Sequence, residues 1–142
     1  MKKKLLFLTI VTIPFLTACG SSNTLKCVRE ADGASREMVI EFDSNKEKVT
    51  GVLVNYSIDL SDVEDFSEYG CDDLEDCLDE FAKEVEDCEE DEDFYECKIA
   101  NKSKTGLTIQ GKVEKNAFQK EFKDKNYKDI KELYEEEGYT CK

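Results

Sequence analysis

Six cysteines spread between positions 27 and 141 constrain the fold of this chain more than any other feature of its sequence. They are Cys27, Cys71, Cys77, Cys88, Cys97 and Cys141. An even number of cysteines in an exported chain predicts disulfides, although six cysteines can pair in many ways. We favour a bond between Cys27 and Cys141, because it would tie the two ends of the domain together. The alternative is that the six are free thiols packed in the core.

The start of the chain indicates export. Met1–Lys4 is positively charged, and residues 5–16 are almost wholly apolar. This run is shorter than the roughly 20 residues that a membrane-spanning helix needs, and Pro14 interrupts it. A charged start, a short apolar run and small residues at its end are typical of a secretory signal peptide, which we predict for residues 1–18.

The residues Leu16-Thr17-Ala18-Cys19 resemble the lipobox of bacterial lipoproteins. The resemblance implies cleavage before Cys19, a diacylglyceryl group on its sulfur and acylation of the new amine. Two or more acyl chains give stable attachment, whereas one holds a protein only weakly. We therefore expect a lipid anchor at the extracytoplasmic face of a bacterial cell membrane, a tether of residues 19–24 and a single domain of residues 25–142. The alternative is an ordinary secretory signal that ends near a cysteine.

The chain is strongly acidic, with 34 acidic and 20 basic residues and a formal net charge of −14. Such a surface repels nucleic acid, so we expect no nucleic-acid partner, and the membrane is reached through the lipid alone. The acids concentrate between Asp62 and Glu96, where Lys83 is the single base. This stretch predicts an acidic face that suits a cationic protein or peptide partner. It lacks the aspartate and glycine pattern of a calcium-binding loop, so we expect no metal site, only loose attraction of divalent ions.

Periodicity in the apolar residues predicts the secondary structure. Alternation predicts a meander of three strands at residues 25–30, 36–43 and 48–59. A capping box from Ser61 to Glu64 predicts a short helix that ends at Gly70, and an apolar stripe predicts a main helix over residues 72–88. The sequence after residue 88 predicts, in order, an exposed loop at 89–93, strands at 94–99 and 107–113, helices at 116–123 and 127–137, and a short final strand at 139–141.

Together these elements predict an α+β fold with an antiparallel sheet of about five strands. The order is a three-strand meander, a helix, a two-strand hairpin and a C-terminal helix, with the helices on one face. This layout is similar to that of YehR-like bacterial lipoproteins. The resemblance rests on Leu16–Cys19, on the order of strands and helices from Leu25 onward, and on the closing Glu137-Gly138-Tyr139. It implies no catalytic residue.

No residue pattern indicates catalysis. The chain has no histidine, which excludes Ser-His-Asp and Cys-His mechanisms. It has neither a Cys-x-x-Cys pair nor a glycine-rich phosphate loop. We expect no enzyme activity and no cofactor, and the leading hypothesis is an anchored binding or interaction domain. The alternatives are an envelope carrier or sensor with a small-ligand pocket, which tyrosines could line, and an acid-rich hydrolase with two carboxylates in one cleft.

Overall fold

The computed structural model describes residues 23–142 of the chain. The predicted signal peptide and Cys19 lie outside the described residues. Residues 23–142 form six strands, four α-helices and one 3-10 helix. In chain order these are β1 (Thr24–Ala31), β2 (Ala34–Phe42), β3 (Val49–Asp59), the 3-10 helix (Phe66–Tyr69), α1 (Leu74–Ala82), α2 (Glu84–Glu90), β4 (Phe94–Lys102), β5 (Gly106–Val113), α3 (Lys115–Glu121), α4 (Tyr127–Glu136) and β6 (Thr140–Cys141).

The strands form one antiparallel sheet in the order β4-β5-β3-β2-β1-β6. The predicted meander is confirmed as β1, β2 and β3. Asp32 and Gly33 connect the first two strands, and both have positive φ angles of 41° and 82°. That conformation matches a two-residue hairpin turn, whose twist fits the twist of the strands that it joins. The α+β class is therefore confirmed, with six strands instead of five, because the short end of the chain pairs with β1.

The helices pack against one face of the sheet and bury two separate clusters of apolar side chains. Under α3 and α4, the first cluster includes Leu25, Ile40 and Ile130, which have no exposed surface. Under α1, α2 and the 3-10 helix, the second cluster includes Cys77 and Leu107. The predicted inward residues of strands and helices thus lie in the core.

The prediction of one continuous main helix over residues 72–88 is wrong. The structure has two helices, α1 and α2, that meet at Lys83. There the backbone N–H of Lys83 donates to the carbonyl of Glu80, three residues earlier, so the turn is tighter than an α-helix. The second helix also continues to Glu90, so the predicted loop at 89–93 shortens to three residues. Disulfides link the two helices to different segments. Cys77 of α1 bonds to Cys71 in the preceding loop, and Cys88 of α2 bonds to Cys97 in β4.

The predicted capping box at Ser61 is also wrong. The backbone N–H of Ser61 donates to a carboxylate oxygen of Asp59 at 3.0 Å instead of starting a helix. The short helix begins later, where the Asp65 carboxylate accepts from both the backbone N–H and the hydroxyl of Ser67. Aspartate is as good a helix cap as serine, so the sequence offered two competing starts. Gly70 ends this helix in a left-handed conformation, as predicted.

Three disulfides cross-link the domain. Cys27 and Cys141 lie in paired positions of β1 and β6, so the preferred pairing of the two ends is confirmed. The other bonds join Cys71 to Cys77 and Cys88 to Cys97. Disulfides persist in oxidising compartments, so these bonds indicate an extracytoplasmic environment. Within residues 23–142, no helix is both long enough and apolar enough to cross a bilayer.

Candidate functional site

A cleft of about 210 Å³ lies on the helix-covered face of the sheet, beside helices α3 and α4 and the start of β4. Its floor is the helix-covered face of β2 and β3, with Met38 and Val54. Its wall is formed by α3 and α4, which contribute Phe118, Phe122 and Leu133. The cleft is small beside typical ligand pockets of roughly 300–1,000 Å³. Its lining is nevertheless of the kind that holds small molecules, since apolar side chains surround a few polar groups.

The polar groups of the cleft come from the sheet, from the end of the chain that includes α3 and α4, and from Asp93 just before β4. Arg36 extends from β2, while Glu121 and Glu137 lie at the ends of α3 and α4. Tyr134 and Tyr139 complete the set, with ring centroids 5.1 Å apart in an edge-to-face arrangement. Positive and negative side chains therefore face the same small volume, next to two phenol hydroxyl groups.

Tyr134 is the most perturbed titratable group of the cleft. Its side chain is buried in α4, and desolvation raises the pKa of its phenol well above the ordinary value. The negative charges of Glu121 and Glu137 act in the same direction, and Arg36 opposes them. The hydroxyl of Tyr134 therefore stays protonated at any physiological pH and can both donate and accept a hydrogen bond.

An acidic surface covers the solvent side of α1 and α2. It is formed by exposed carboxylates of the two helices, which are Glu75, Asp76, Asp79, Glu80, Glu84, Glu86, Asp87, Glu89 and Glu90. Lys83 pairs with Glu80 at 2.5 Å, and Lys102 pairs with Asp79 at 3.5 Å. The predicted acidic face is thus a continuous feature of two consecutive helices.

Glu84 differs from the other acids of this surface. Desolvation raises the pKa of its carboxyl, and the nearby charge of Asp87 adds to the effect. Burial of Tyr56 on β3 raises the pKa of its phenol, and the nearby charge of Glu84 raises it further. The acid-rich hydrolase, which needs two carboxyl groups with raised pKa in one cleft, stays a prediction.

A second concavity of about 430 Å³ lies at the start of α1. It is a wider and more open groove between α1 and the turn that joins β4 to β5. Lys102 and Lys104 face Asp73 and Glu75 across it. Because little of this groove is enclosed by apolar side chains, the smaller cleft is the better candidate for a ligand site.

The opposite face of the sheet carries a row of hydrogen-bonded polar side chains. Gln110 donates to Asn55 at 2.9 Å, and Asn55 donates to Glu37 at 2.8 Å. Lys26 completes the row through an ion pair with Glu37 at 3.2 Å. These groups satisfy one another across four strands, so the row has a structural explanation and needs no ligand.

The residues named from the sequence separate into different parts of the molecule. Cys19 lies outside the described residues, and the six other cysteines form the three structural disulfides. Of the six tyrosines, Tyr134 and Tyr139 line the cleft, whereas Tyr69 and Tyr95 are exposed. Within residues 23–142, no group of three or more acidic or cysteine side chains is placed to hold a metal ion. The sequence reasoning missed Arg36, although its alternation with Met38 and Ile40 places it on the same face of β2.

The fold and cleft together define a small extracytoplasmic α+β domain cross-linked by three disulfides. Comparison of the chain with protein-family models, with curated proteins and with solved structures gave no match.

Proposed function

We propose that this chain is a lipid-anchored, extracytoplasmic binding domain that holds a small ligand in the cleft between the sheet and helices α3 and α4. The observation that carries the proposal is the cleft itself. There the side chains of Arg36, Asp93, Glu121, Glu137 and Tyr134 line one small cavity together with apolar side chains. No bond-breaking step is part of the proposal, which makes the domain a carrier or sensor instead of an enzyme.

The anchor is supported by the lipobox and by the short distance from Cys19 to the first strand. The strand β1 begins at Thr24, so few residues separate the proposed lipid from the folded domain. Replacing the sulfur removes the atom that would carry the diacylglyceryl group. A Cys19→Ser variant should therefore leave the detergent phase in a phase-partition experiment and appear in the aqueous phase. If the variant stays in the membrane fraction like the parent, the anchor proposal is wrong.

Cleft binding can be tested by filling the cavity. Leu133 is a partly buried residue of its wall, and tryptophan at this position would occupy much of the volume. Leu53→Trp is the matched control, because Leu53 is a partly buried residue on the opposite face of β3. We expect native mass spectrometry to find a small molecule bound to the parent and to Leu53→Trp, and to lose it in Leu133→Trp. Circular dichroism checks that each variant is folded.

A second candidate function is the capture of a cationic protein or peptide by the acidic surface. It is favoured by the excess of carboxylates on α1 and α2, of which two form ion pairs with lysines inside the described part of the chain. Opposite charges steer association and set its salt dependence. The two functions use different surfaces, so one domain can perform both.

A further inference from the structure

Two solvent-exposed arginines oppose each other on neighbouring strands, and one of them, Arg36, lines the cleft. Arg29 and Arg36 are the arginines of a chain that otherwise uses lysine for its positive charges. They are directly opposed in the register of β1 and β2. Their neighbours two positions away, Cys27 and Met38, are buried under the helices, so strand alternation places both arginines on the helix-covered face.

In the described part of the chain neither arginine forms an ion pair, although Asp93, Glu121 and Glu137 line the same cleft as Arg36. Like charges that are directly opposed in a sheet destabilise it. Within residues 23–142, no carboxylate lies within ion-pair distance of either guanidinium. On the other face of the same two strands, Lys26 does have a partner, since Glu37 lies 3.2 Å away. On these two strands Lys26 therefore has an ion-pair partner, whereas Arg29 and Arg36 have none among residues 23–142.

The surroundings of the two arginines favour a bound molecule. Arg36 lines the cleft, and the guanidinium of Arg29 lies 6.0 Å from the ring centre of Tyr139, which also lines it. A planar guanidinium matches the oxygens of a carboxylate or phosphate with two parallel hydrogen bonds. An anion between the two would remove their repulsion and gain hydrogen bonds from both.

We propose that Arg29 and Arg36 together bind the anionic group, a carboxylate or a phosphate, of a small amphipathic ligand whose apolar part fills the cleft. This inference rests on the proposed ligand-binding function of the cleft and specifies its chemistry. Glu121 and Glu137 on the helical wall, and Asp93 just before β4, repel an anion, so the charged group would lie on the sheet beside the two arginines. The apolar part then contacts Met38, Val54 and Leu133.

The test uses four probes of similar size on the purified, oxidised full-length protein in nanodiscs of zwitterionic lipid. They are benzoate, phenyl phosphate, neutral benzyl alcohol and benzylammonium, titrated by calorimetry with empty nanodiscs as the blank. We expect at least one of the two anions to bind roughly tenfold or more tightly than benzyl alcohol, as hydrogen bonds to a charged group imply. The stronger of the two anions tells whether the natural group is a carboxylate or a phosphate.

Variants assign that preference to the arginines. Arg29→Gln and Arg36→Gln should each abolish it, and Arg36→Lys should restore part of it. Lys98→Gln is the matched control, because it removes the same charge from the opposite face of the sheet and should change nothing. If neither anion is preferred to benzyl alcohol, or if the preference survives both arginine substitutions, the anion site is wrong. A different result would show that the cleft itself binds no ligand. Neutral benzyl alcohol would then have the same affinity for the parent and for Leu133→Trp.

Discussion

At the scale of single residues, the packing around Gly111 explains why a glycine stands in the middle of β5. A Cβ atom added there would lie 2.9 Å from the sulfur of Cys88 and 3.3 Å from the sulfur of Cys97. The helix α2 is held against the sheet by the disulfide between these two cysteines, so the strand has no room for a side chain at this point. Gly51 in β3 is different, because its nearest neighbour is the flexible carboxylate of Glu41 at 3.1 Å.

We predict that Gly111→Ala lowers the free energy of unfolding by about 1–3 kcal/mol, the usual cost of forcing an extra methyl group into a packed site. Gly51→Ala is the matched control, and its cost should be clearly smaller because the Glu41 side chain can move. Urea denaturation of the oxidised proteins measures both values. Equal losses in the two variants would contradict the role assigned to Gly111.

The burial of Tyr134 predicts a stability that depends on alkaline pH. Its pKa is raised above the ordinary value of 10.0 in the folded protein. When pH rises past the ordinary value, the unfolded chain loses this proton before the folded one does. The stabilisation is therefore complete below about pH 10 and is lost as pH climbs toward the raised folded pKa. Tyr134→Phe cannot titrate, so its stability should fall less steeply above pH 10 than that of the parent. Identical slopes in a pH series of thermal unfolding would show that the prediction is wrong.

Residue patterns in the sequence predict the core well and the cleft poorly. Burial of Met38, Ile40 and Phe42 follows from simple alternation along one strand. The same alternation puts Arg36 on the helix-covered side, but it does not reveal that this side chain stays exposed and lines a cleft. The cleft depends on how α3 and α4 pack against the sheet, which involves contacts between distant parts of the chain.

At the scale of elements, the disulfides divide into one long link and two short ones. Cys27 and Cys141 are separated by 114 positions, whereas Cys71 and Cys77 are separated by 6. In the chain-entropy model, closure of a longer loop restricts the unfolded chain more. The long link also holds β6 against β1, where the pairing covers only two residues on each strand.

We predict that replacing Cys27 and Cys141 together by alanine costs more stability than replacing Cys71 and Cys77. The model gives about 4.7 kcal/mol for a loop of roughly 100 residues and about half of that for the short loop. Thermal unfolding of the two double variants, with the remaining disulfides verified by mass spectrometry, measures the difference. A larger loss from the short link would contradict this order.

The bounds of an element were predictable where local sequence signals agreed. They were not predictable where contacts between distant residues determined them. The helix α4 has a side-chain cap at Asn126, a reciprocal bond from Asp129 and a closing glycine, so its bounds differ from the prediction by one residue. The apolar stripe of residues 74–88 is correct, but the helix divides at Lys83 because Cys77 and Cys88 are bonded to different segments. Disulfide partners cannot be derived from spacing, so this division was not visible in the sequence.

At the scale of the whole molecule, charge is distributed unevenly over the helical layers. The layer of α1 and α2 is almost wholly acidic on its solvent side, whereas α4 combines acids with lysines in ion pairs such as Lys128–Glu132 and Lys131–Glu135. An approaching cation would therefore be drawn to the first layer. Exposed charges are screened by salt, so the attraction should weaken as ionic strength rises.

We predict that reversing Glu84, Glu86 and Glu89 to lysine weakens capture of a cationic peptide or protein from native membranes, with the largest effect at low salt. A matched variant with Glu132, Glu135 and Glu136 reversed changes the net charge by the same amount on the other helical layer. If both variants capture equally well, or if salt has no effect, the acidic surface is not a docking site.

We propose that lipid holds this domain to the membrane while its cleft carries a small molecule. Native mass spectrometry of the protein extracted from membranes in mild detergent tests both parts at once. We expect a chain that begins at a lipid-modified Cys19, contains three disulfides, and carries a small anion that dissociates on denaturation. A membrane-derived protein that still begins at Met1, with an unmodified Cys19 and an empty cleft, would contradict it.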